Sequence, residues 1–111
     1  MLNIKEVVTE MTLAAQIAAK EYADARYEGK DGGACGFAWV EIYPANKGNT
    51  KLGKVFAEIG IRKDWTGKAY QIWNPSGMGV QNIDTLEEGA IAAAAVFSKY
   101  GFSAAAGSRL D

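Results

Sequence analysis

The stretch Cys35-Gly36-Phe37-Ala38-Trp39-Val40-Glu41-Ile42-Tyr43, closed by Pro44, decides which fold the sequence predicts. Small or aliphatic side chains alternate along it with aromatic or charged ones, which is typical of a strand with two different faces. One face carries Ala38, Val40 and Ile42, and the other carries Phe37, Trp39, Glu41 and Tyr43. We expect the aliphatic face to lie against helices and the aromatic face to lie on the other side of a sheet.

The segments that follow this strand alternate between helical and strand patterns. We predict a helix over about residues 51–59, strands over 61–65 and 68–74, a helix over 85–100 and a last strand over 102–110. The turn Thr66-Gly67 joins the two middle strands, and Asp84 or Thr85 caps the second helix. The alanines near the end and Gly107 weaken the prediction of the last strand. The order β-α-β-β-α-β is that of the ferredoxin-like split βαβ fold.

Residues 1–28 form a long amphipathic helix in this interpretation, placed before the core. Apolar side chains recur there at steps of three and four residues: Ile4, Val7, Met11, Ala14 or Ala15, Ala18 and Tyr22. A chain of 111 residues has room for one domain, with the helix over 1–28 and the βαββαβ core over 35–111. We therefore expect an α+β sandwich with a four-stranded antiparallel sheet, two helices on one face and an extra N-terminal helix.

The aromatic face of the predicted sheet is the strongest candidate for a binding site. In the ferredoxin-like order the first and third strands are adjacent, so that Trp39 and Trp73 could lie side by side. The candidate binding residues are these tryptophans, their polar neighbours and two arginines: Trp39, Glu41, Tyr43, Gln71, Trp73, Arg62 and Arg109. Aromatic pairs on central strands are also how RNA-recognition modules stack bases.

Two observations weigh against nucleic acid on this face. The segment Lys68–Trp73 departs from the RNP1 pattern, and a formal net charge of −1 with a pI of about 5.5 supplies no basic field. The other interpretation is that the N-terminal helix or a second subunit covers the rings. We expect this buried arrangement in preference to an exposed site, because large aromatic side chains are usually buried.

The residue types that are missing exclude several kinds of chemistry. The sequence has no histidine, which removes Ser-His-Asp and Cys-His catalysis. Its one cysteine, Cys35, can form neither an intramolecular disulfide nor a cysteine-based zinc site. We predict no catalytic residue, no cofactor and no metal site. A small enzyme that uses carboxylates as acid and base is a third possible function, with these candidates: Glu41, Glu58, Asp64, Glu87 and Glu88.

One glycine-rich segment is similar to part of a phosphate-binding loop. Residues Gly48-Asn49-Thr50-Lys51-Leu52-Gly53-Lys54 match the start of the pattern G-x-x-x-x-G-K-[ST]. Val55 stands where a serine or threonine must bind magnesium, so we predict no nucleotide hydrolysis. Lys51 and Lys54 could bind an anion adventitiously.

The sequence carries no pattern for targeting or membrane insertion. Lys5 and Glu6 place charges where a signal peptide would need an apolar core. The most apolar stretch, Gly89–Phe97, is much shorter than the ~20 residues of a membrane span. We expect a soluble protein that resides in the cytoplasm and does not bind membranes.

Several short strings resemble a family of small proteins encoded by tailed bacteriophages, marine phages included. They are Asp31-Gly32-Gly33-Ala34-Cys35-Gly36-Phe37-Ala38-Trp39-Val40, Gly48-Asn49-Thr50-Lys51-Leu52-Gly53, Lys63-Asp64-Trp65-Thr66-Gly67-Lys68, Trp73-Asn74-Pro75-Ser76 and Ser108-Arg109-Leu110-Asp111. The resemblance runs from about Asp31 to the C-terminus and leaves out the N-terminal helix. It implies expression in the cytoplasm of an infected bacterial host, and it assigns neither an activity nor a functional residue.

These observations favour a non-catalytic, phage-encoded accessory protein that binds a host or phage protein, for host takeover or against host defence. The alternative is a single-stranded nucleic-acid-binding module that uses the aromatic face. The long N-terminal helix and the aromatic face also lead us to expect a homodimer, because an exposed apolar patch of this size usually marks an interface.

Overall fold

The computed structural model describes residues 3–28, 33–43, 50–80 and 82–111. Within them the chain forms three helices and one four-stranded antiparallel sheet, so the predicted α+β class and the predicted sheet are confirmed. The elements in chain order are α1 (Ile4–Tyr27), β1 (Gly36–Tyr43), α2 (Thr50–Glu58), β2 (Arg62–Lys63), β3 (Tyr70–Trp73), α3 (Ile83–Lys99) and β4 (Ser103–Leu110).

The sheet has the strand order β2-β3-β1-β4, with β1 in a central position. β1 pairs with β3 on one side and with β4 on the other, and both pairs are antiparallel. Trp39 of β1 therefore has two partners across the sheet, Trp73 on β3 and Gly107 on β4. The eight residues of β4 all face a partner on β1, which makes this outer strand much longer than β2 at the opposite edge.

The main core lies between one face of the sheet and the helices. Ala38, Val40 and Ile42 of β1 are at most 1% exposed, as their alternation along the strand predicts. Val40 and Ile42 share one apolar cluster with residues of all three helices, the largest being Met11, Phe56 and Phe97. The helices thus occupy a single side of the sheet.

Helices α1 and α3 pack closely because the residues between them are small. The buried stripe of α1 repeats every fourth residue, and it consists of Val7, Met11, Ala15, Ala19 and Ala23. On α3, a Cβ added at Gly89 would lie 3.0 Å from the Ser76 Cβ and 3.3 Å from the Ala15 carbonyl oxygen. Glycine at position 89 therefore sets the distance between these two helices.

The ends of α1 and α3 are joined by charged and polar side chains. Glu10 of α1 accepts hydrogen bonds from Lys99, at the end of α3, and from Tyr100, which follows it. Since Glu10 lies near the start of α1, the two helices run antiparallel. The hydrogen bond from Lys99, followed by that from Tyr100, holds the pKa of Glu10 below its ordinary value of 4.5.

The hairpin strands are shorter than the sequence predicts. β2 covers only Arg62–Lys63, whereas we expected a strand over 61–65, and β3 starts at Tyr70. The reason is a turn that begins early: the Asp64 N–H donates to the Ala69 carbonyl at 2.9 Å, and the Gly67 N–H donates to the Asp64 carbonyl at 3.1 Å. The turn therefore takes up residues that the alternation had assigned to strands.

The expected cap of α3 is wrong by two or three residues. The helix begins at Ile83 and its cap is Asn82, whose side chain accepts from the Thr85 N–H at 2.8 Å. Asp84 and Thr85, the predicted caps, lie in the first turn instead. Asn82 is 1% exposed, so its amide serves both the helix end and the packing.

No helix in the described part of the chain is both long and apolar enough to span a bilayer.

We expect Gly89→Leu to lower the free energy of unfolding by about 1–3 kcal/mol, since the new side chain would push α1 and α3 apart. The measurement is urea denaturation followed by circular dichroism. Ala95→Leu, an exposed position on the same helix, is the matched control and should change stability little. Equal effects of the two variants would contradict the close approach at Gly89.

We expect Glu10→Gln to reduce stability at neutral pH and to have less effect in acid. The pKa of Glu10 is lowered in the folded chain, so its contribution is present above the ordinary pKa of 4.5 and is lost as the pH falls through the lowered value. Urea midpoints of the parent protein and the variant should converge in acid. A difference that stays constant with pH would show that the carboxylate charge is not involved.

Candidate functional site

The side of the sheet that faces away from the helices, called the open face below, contains all seven residues that the sequence suggested for a binding site around the tryptophan pair. β1 contributes Trp39, Glu41 and Tyr43, and β3 contributes Gln71 and Trp73. Arg62 pairs with Gln71, and Arg109 pairs with Phe37, so that both arginines lie on the same side as their partners. Residues that are 70 positions apart in sequence are thus brought to one surface.

The centre of the open face is a pair of tryptophans. Trp39 and Trp73 are direct partners across β1 and β3, with ring centroids 4.9 Å apart and an angle of 35° between the ring planes. Trp73 is 47% exposed, and Trp39 is half-buried. The rings lie side by side, as the alternation along the two strands predicts.

Gly107 provides the space in which the Trp39 indole lies. A Cβ at position 107 would be 2.5 Å from two atoms of that ring, which no real side chain could tolerate. The ring therefore rests on the backbone of β4, and this contact explains why a glycine stands in the middle of that strand. From the sequence alone Gly107 only weakens the prediction of a strand, and the sequence carries no local signal for its role beneath Trp39.

The expectation that α1 covers the tryptophans is wrong. α1 belongs to the apolar cluster of Val40 and Ile42, which point to the helix side of β1. Trp39 and Trp73 point to the opposite side, where the helices do not reach. The reason is that the small residues Ala15 and Ala19 of α1 allow it to pack closely against α3 at Gly89, within the helix layer.

On the open face, side chains two residues apart on the same strand form hydrogen bonds with one another. The Trp39 Nε1–H donates to Glu41 Oε1 at 3.0 Å, and the Tyr43 hydroxyl donates to Glu41 Oε2 at 2.8 Å. The Trp73 Nε1–H donates to Gln71 Oε1 at 2.8 Å. The hydrogen bond to Glu41 also raises the pKa of Tyr43, so this phenol is no proton acceptor at neutral pH. The arrangement fixes ring orientations and is suited to binding.

Phe37 and Arg109 extend the aromatic pair toward one end of the sheet. The Phe37 ring meets Trp73 edge-on with centroids 6.0 Å apart. The Arg109 guanidinium lies 5.4 Å from the Phe37 centroid and 5.8 Å from the Trp73 centroid, within the range of a cation–π interaction. Phe37 is 39% exposed and was not among the candidate residues, although its place in the alternation put it on this face.

A pocket adjoins the open face at this same end. Its volume is about 200 Å³, and it is lined by Gly36, Phe37, Ala38, Trp73, Asn74, Val80 and Leu86. Two of these residues, Phe37 and Trp73, also belong to the aromatic surface. The open face therefore combines an aromatic area with a recess that could accept a side chain.

The β2–β3 hairpin holds a third tryptophan that the sequence reasoning also missed. Trp65 is 96% exposed. Side-chain hydrogen bonds support its turn: the Thr66 hydroxyl donates to Asp64 Oδ1 at 2.7 Å and accepts from the Lys68 N–H at 3.2 Å. The hydrogen bond from Thr66 also lowers the pKa of Asp64. The predicted strand over 61–65 included Trp65, but this residue lies in the turn after β2. The sequence signal for that turn was Thr66-Gly67 beside it.

The described residues provide little support for a phosphate-binding site or for catalysis by carboxylates. Gly48 and Asn49 and the side chain of Lys51 lie outside the described residues, and Lys54 is exposed. Of the carboxylate candidates, Glu87 accepts from Ser108 and Glu58 forms an exposed ion pair with Lys5 at 3.9 Å. Among the described residues, no group of three acidic or cysteine side chains could hold a metal ion.

Comparison of the chain with protein-family models, with curated proteins and with solved structures finds no match.

We expect Gly107→Ala to displace the Trp39 indole and to cost about 1–3 kcal/mol of stability, because the methyl group would occupy the space of the ring. The close tryptophan pair should give an exciton-coupled circular dichroism band, and that band should be lost in the variant. Gly79→Ala, where nothing lies within 4 Å of the new methyl group, is the matched control. An unchanged band in Gly107→Ala would contradict the contact.

Proposed function

We propose that this chain is a non-catalytic binding protein whose open face holds a segment of a partner protein. The observation that supports this most strongly is the Trp39–Trp73 pair, which is accessible on the open face and fixed by hydrogen bonds to Glu41 and Gln71. Tryptophan, tyrosine and arginine are the residue types that dominate the energetic centres of protein interfaces. The open face presents all three.

The proposed fold type explains why the described helices leave this face uncovered. We infer that residues 35–111 belong to the ferredoxin-like class, with α1 as an addition. The chain order β-α-β-β-α-β, the strand order β2-β3-β1-β4 and antiparallel pairing between all neighbours support that inference. In such a sandwich both core helices cover the same face of the sheet, which leaves the other face to ligands.

Rigid side chains favour protein binding on this surface. Because the indole N–H groups already have acceptors, the rings lose little conformational freedom when a partner binds. The adjoining pocket of about 200 Å³ offers room for one anchoring side chain of the partner. A binding role therefore requires no rearrangement of the sheet.

The resemblance to phage-encoded proteins supports a narrower form of the proposal. In that form the partner is a host or phage protein met in the cytoplasm of an infected bacterium. The strings that carry the resemblance include most of β1 and the end of β4, both of which contribute to the open face.

Single-stranded nucleic acid is the second candidate ligand. The accessible rings on two adjacent central strands favour it, and Arg62 and Arg109 lie on the two outer strands, where they could meet phosphates. Glu41 weighs against it, because its carboxylate lies between Trp39 and Tyr43 and would repel a phosphate backbone. We therefore favour a protein partner.

We expect Trp73→Ala to weaken partner binding by about thirtyfold, corresponding to ~2 kcal/mol for an interface anchor. Partners captured from bacterial lysate by the tagged chain would be identified by mass spectrometry, and their affinity would be measured by calorimetry. Trp65→Ala is the matched control, since Trp65 is exposed but lies on the hairpin turn. Thermal melting of both variants checks that they remain folded.

Two results would contradict this proposal. Partner affinity that is unchanged in Trp73→Ala would remove the open face from the interface. Salt-dependent binding of a labelled oligothymidine strand that is lost in Trp73→Ala would assign the face to nucleic acid instead.

A further inference from the structure

The outer edge of β4 is long and regular, and it bears few of the features that normally protect an edge strand. All eight residues of β4 pair with β1 without a bulge, and the strand contains no proline. Its one charged side chain, Arg109, is directed over the Phe37 and Trp73 rings, away from the free edge. Native proteins usually block such an edge with charges, prolines or bulges.

Alternate residues of β4 direct their backbone groups to this edge. The Asp111 N–H donates to the Cys35 carbonyl at 3.1 Å, which makes these two residues a hydrogen-bonded pair of the antiparallel ladder. Because such pairs alternate, the odd-numbered residues of β4 bond to β1. The N–H and C=O groups of Ala104, Ala106, Ser108 and Leu110 then point outward, and no strand of the described residues lies beyond them.

An exposed apolar side chain on α3 stands beside the same edge. Glu87 accepts a hydrogen bond from the Ser108 hydroxyl, so the flank of α3 that carries Glu87 lies above β4. Ile91 follows one turn later on that flank and is 47% exposed. An apolar side chain and a row of outward backbone groups thus occur on one side of the molecule.

We propose that this edge binds a second copy of the chain, with the two β4 strands pairing antiparallel about a two-fold axis near Gly107. In this register Ala106 lies opposite Ser108 of the second copy, and Ala104 lies opposite its Leu110. Arg109 lies opposite the small Ala105, so no like charges meet. An identical edge is therefore a suitable partner for this one, as an isologous interface requires.

The pairing joins the two sheets into one of twice the width. Since partners in this register keep the same face, both open faces lie on the same side of the joined sheet. The Ile91 side chains of the two copies approach each other across the axis above the paired strands. This homodimer uses a different surface from the one that we expected from the sequence, and it does not depend on what the open face binds.

Sedimentation equilibrium of the full chain tests the proposal. We expect a dimer for the parent protein and a dimer dissociation constant at least about tenfold higher for Ile91→Glu, which places two carboxylates together at the axis. Ala106→Pro should also dissociate the dimer, since it removes an outward N–H and leaves the ladder to β1 intact. Leu13→Glu on α1, where Leu13 is 54% exposed, is the matched control and should remain dimeric.

Amide hydrogen exchange supplies a second measurement that does not depend on a variant. The N–H groups of Ala106 and Ser108 should exchange more slowly at high protein concentration than at low concentration. Trp73→Ala should leave the dimer intact, which separates this interface from the open face. A monomeric parent protein, or a dimer that persists in Ile91→Glu or is lost in Trp73→Ala, would overturn the proposal.

Discussion

Strand β1 is hydrogen-bonded on both sides, and its alternating side chains have to fit two different surroundings. Ala38, Val40 and Ile42 are short enough for α3 to lie close to the sheet, while Phe37 and Trp39 project from the other side. Both sets share one backbone, so a shift of register by one residue would place the indole of Trp39 in the core and Val40 in water. The positions of β3, β4 and the helices all follow from this strand.

Small residues determine how closely helices α1 and α3 pack, just as the alternation of side chains determines which residues of β1 lie on each face of the sheet. The alanines of α1 and α3, together with Gly89, let the two long helices approach so closely that a Cβ at position 89 would lie 3.3 Å from the Ala15 carbonyl oxygen. Close contact supplies dispersion energy that large, loosely fitted side chains would not. The buried stripe of α1 therefore lies in the helix layer, on the side of the sheet opposite the aromatic rings.

Most of the fold, but only part of the candidate site, could be predicted from the sequence. Period-two alternation in β1 and β3 was sufficient to place Trp39 and Trp73 on one face, because local geometry alone decides which way a strand residue points. The end of β2, the Asn82 cap and the side on which α1 packs depend on contacts between distant segments, which periodicity does not contain. Gly107 shows the same limit: its lack of a side chain matters only because Trp39, 68 positions away, lies on it.

The contact between Gly107 and Trp39 means that the residues at these two positions constrain each other during evolution. A side chain at position 107 would displace the indole of Trp39. With a smaller residue at position 39, the space above β4 would be empty, and glycine at position 107 would no longer be required. Descendants of a common ancestor should therefore change these two positions together or retain both. If related sequences retain both the tryptophan and the glycine while the other residues of β4 vary, this pattern would indicate selection for the aromatic surface.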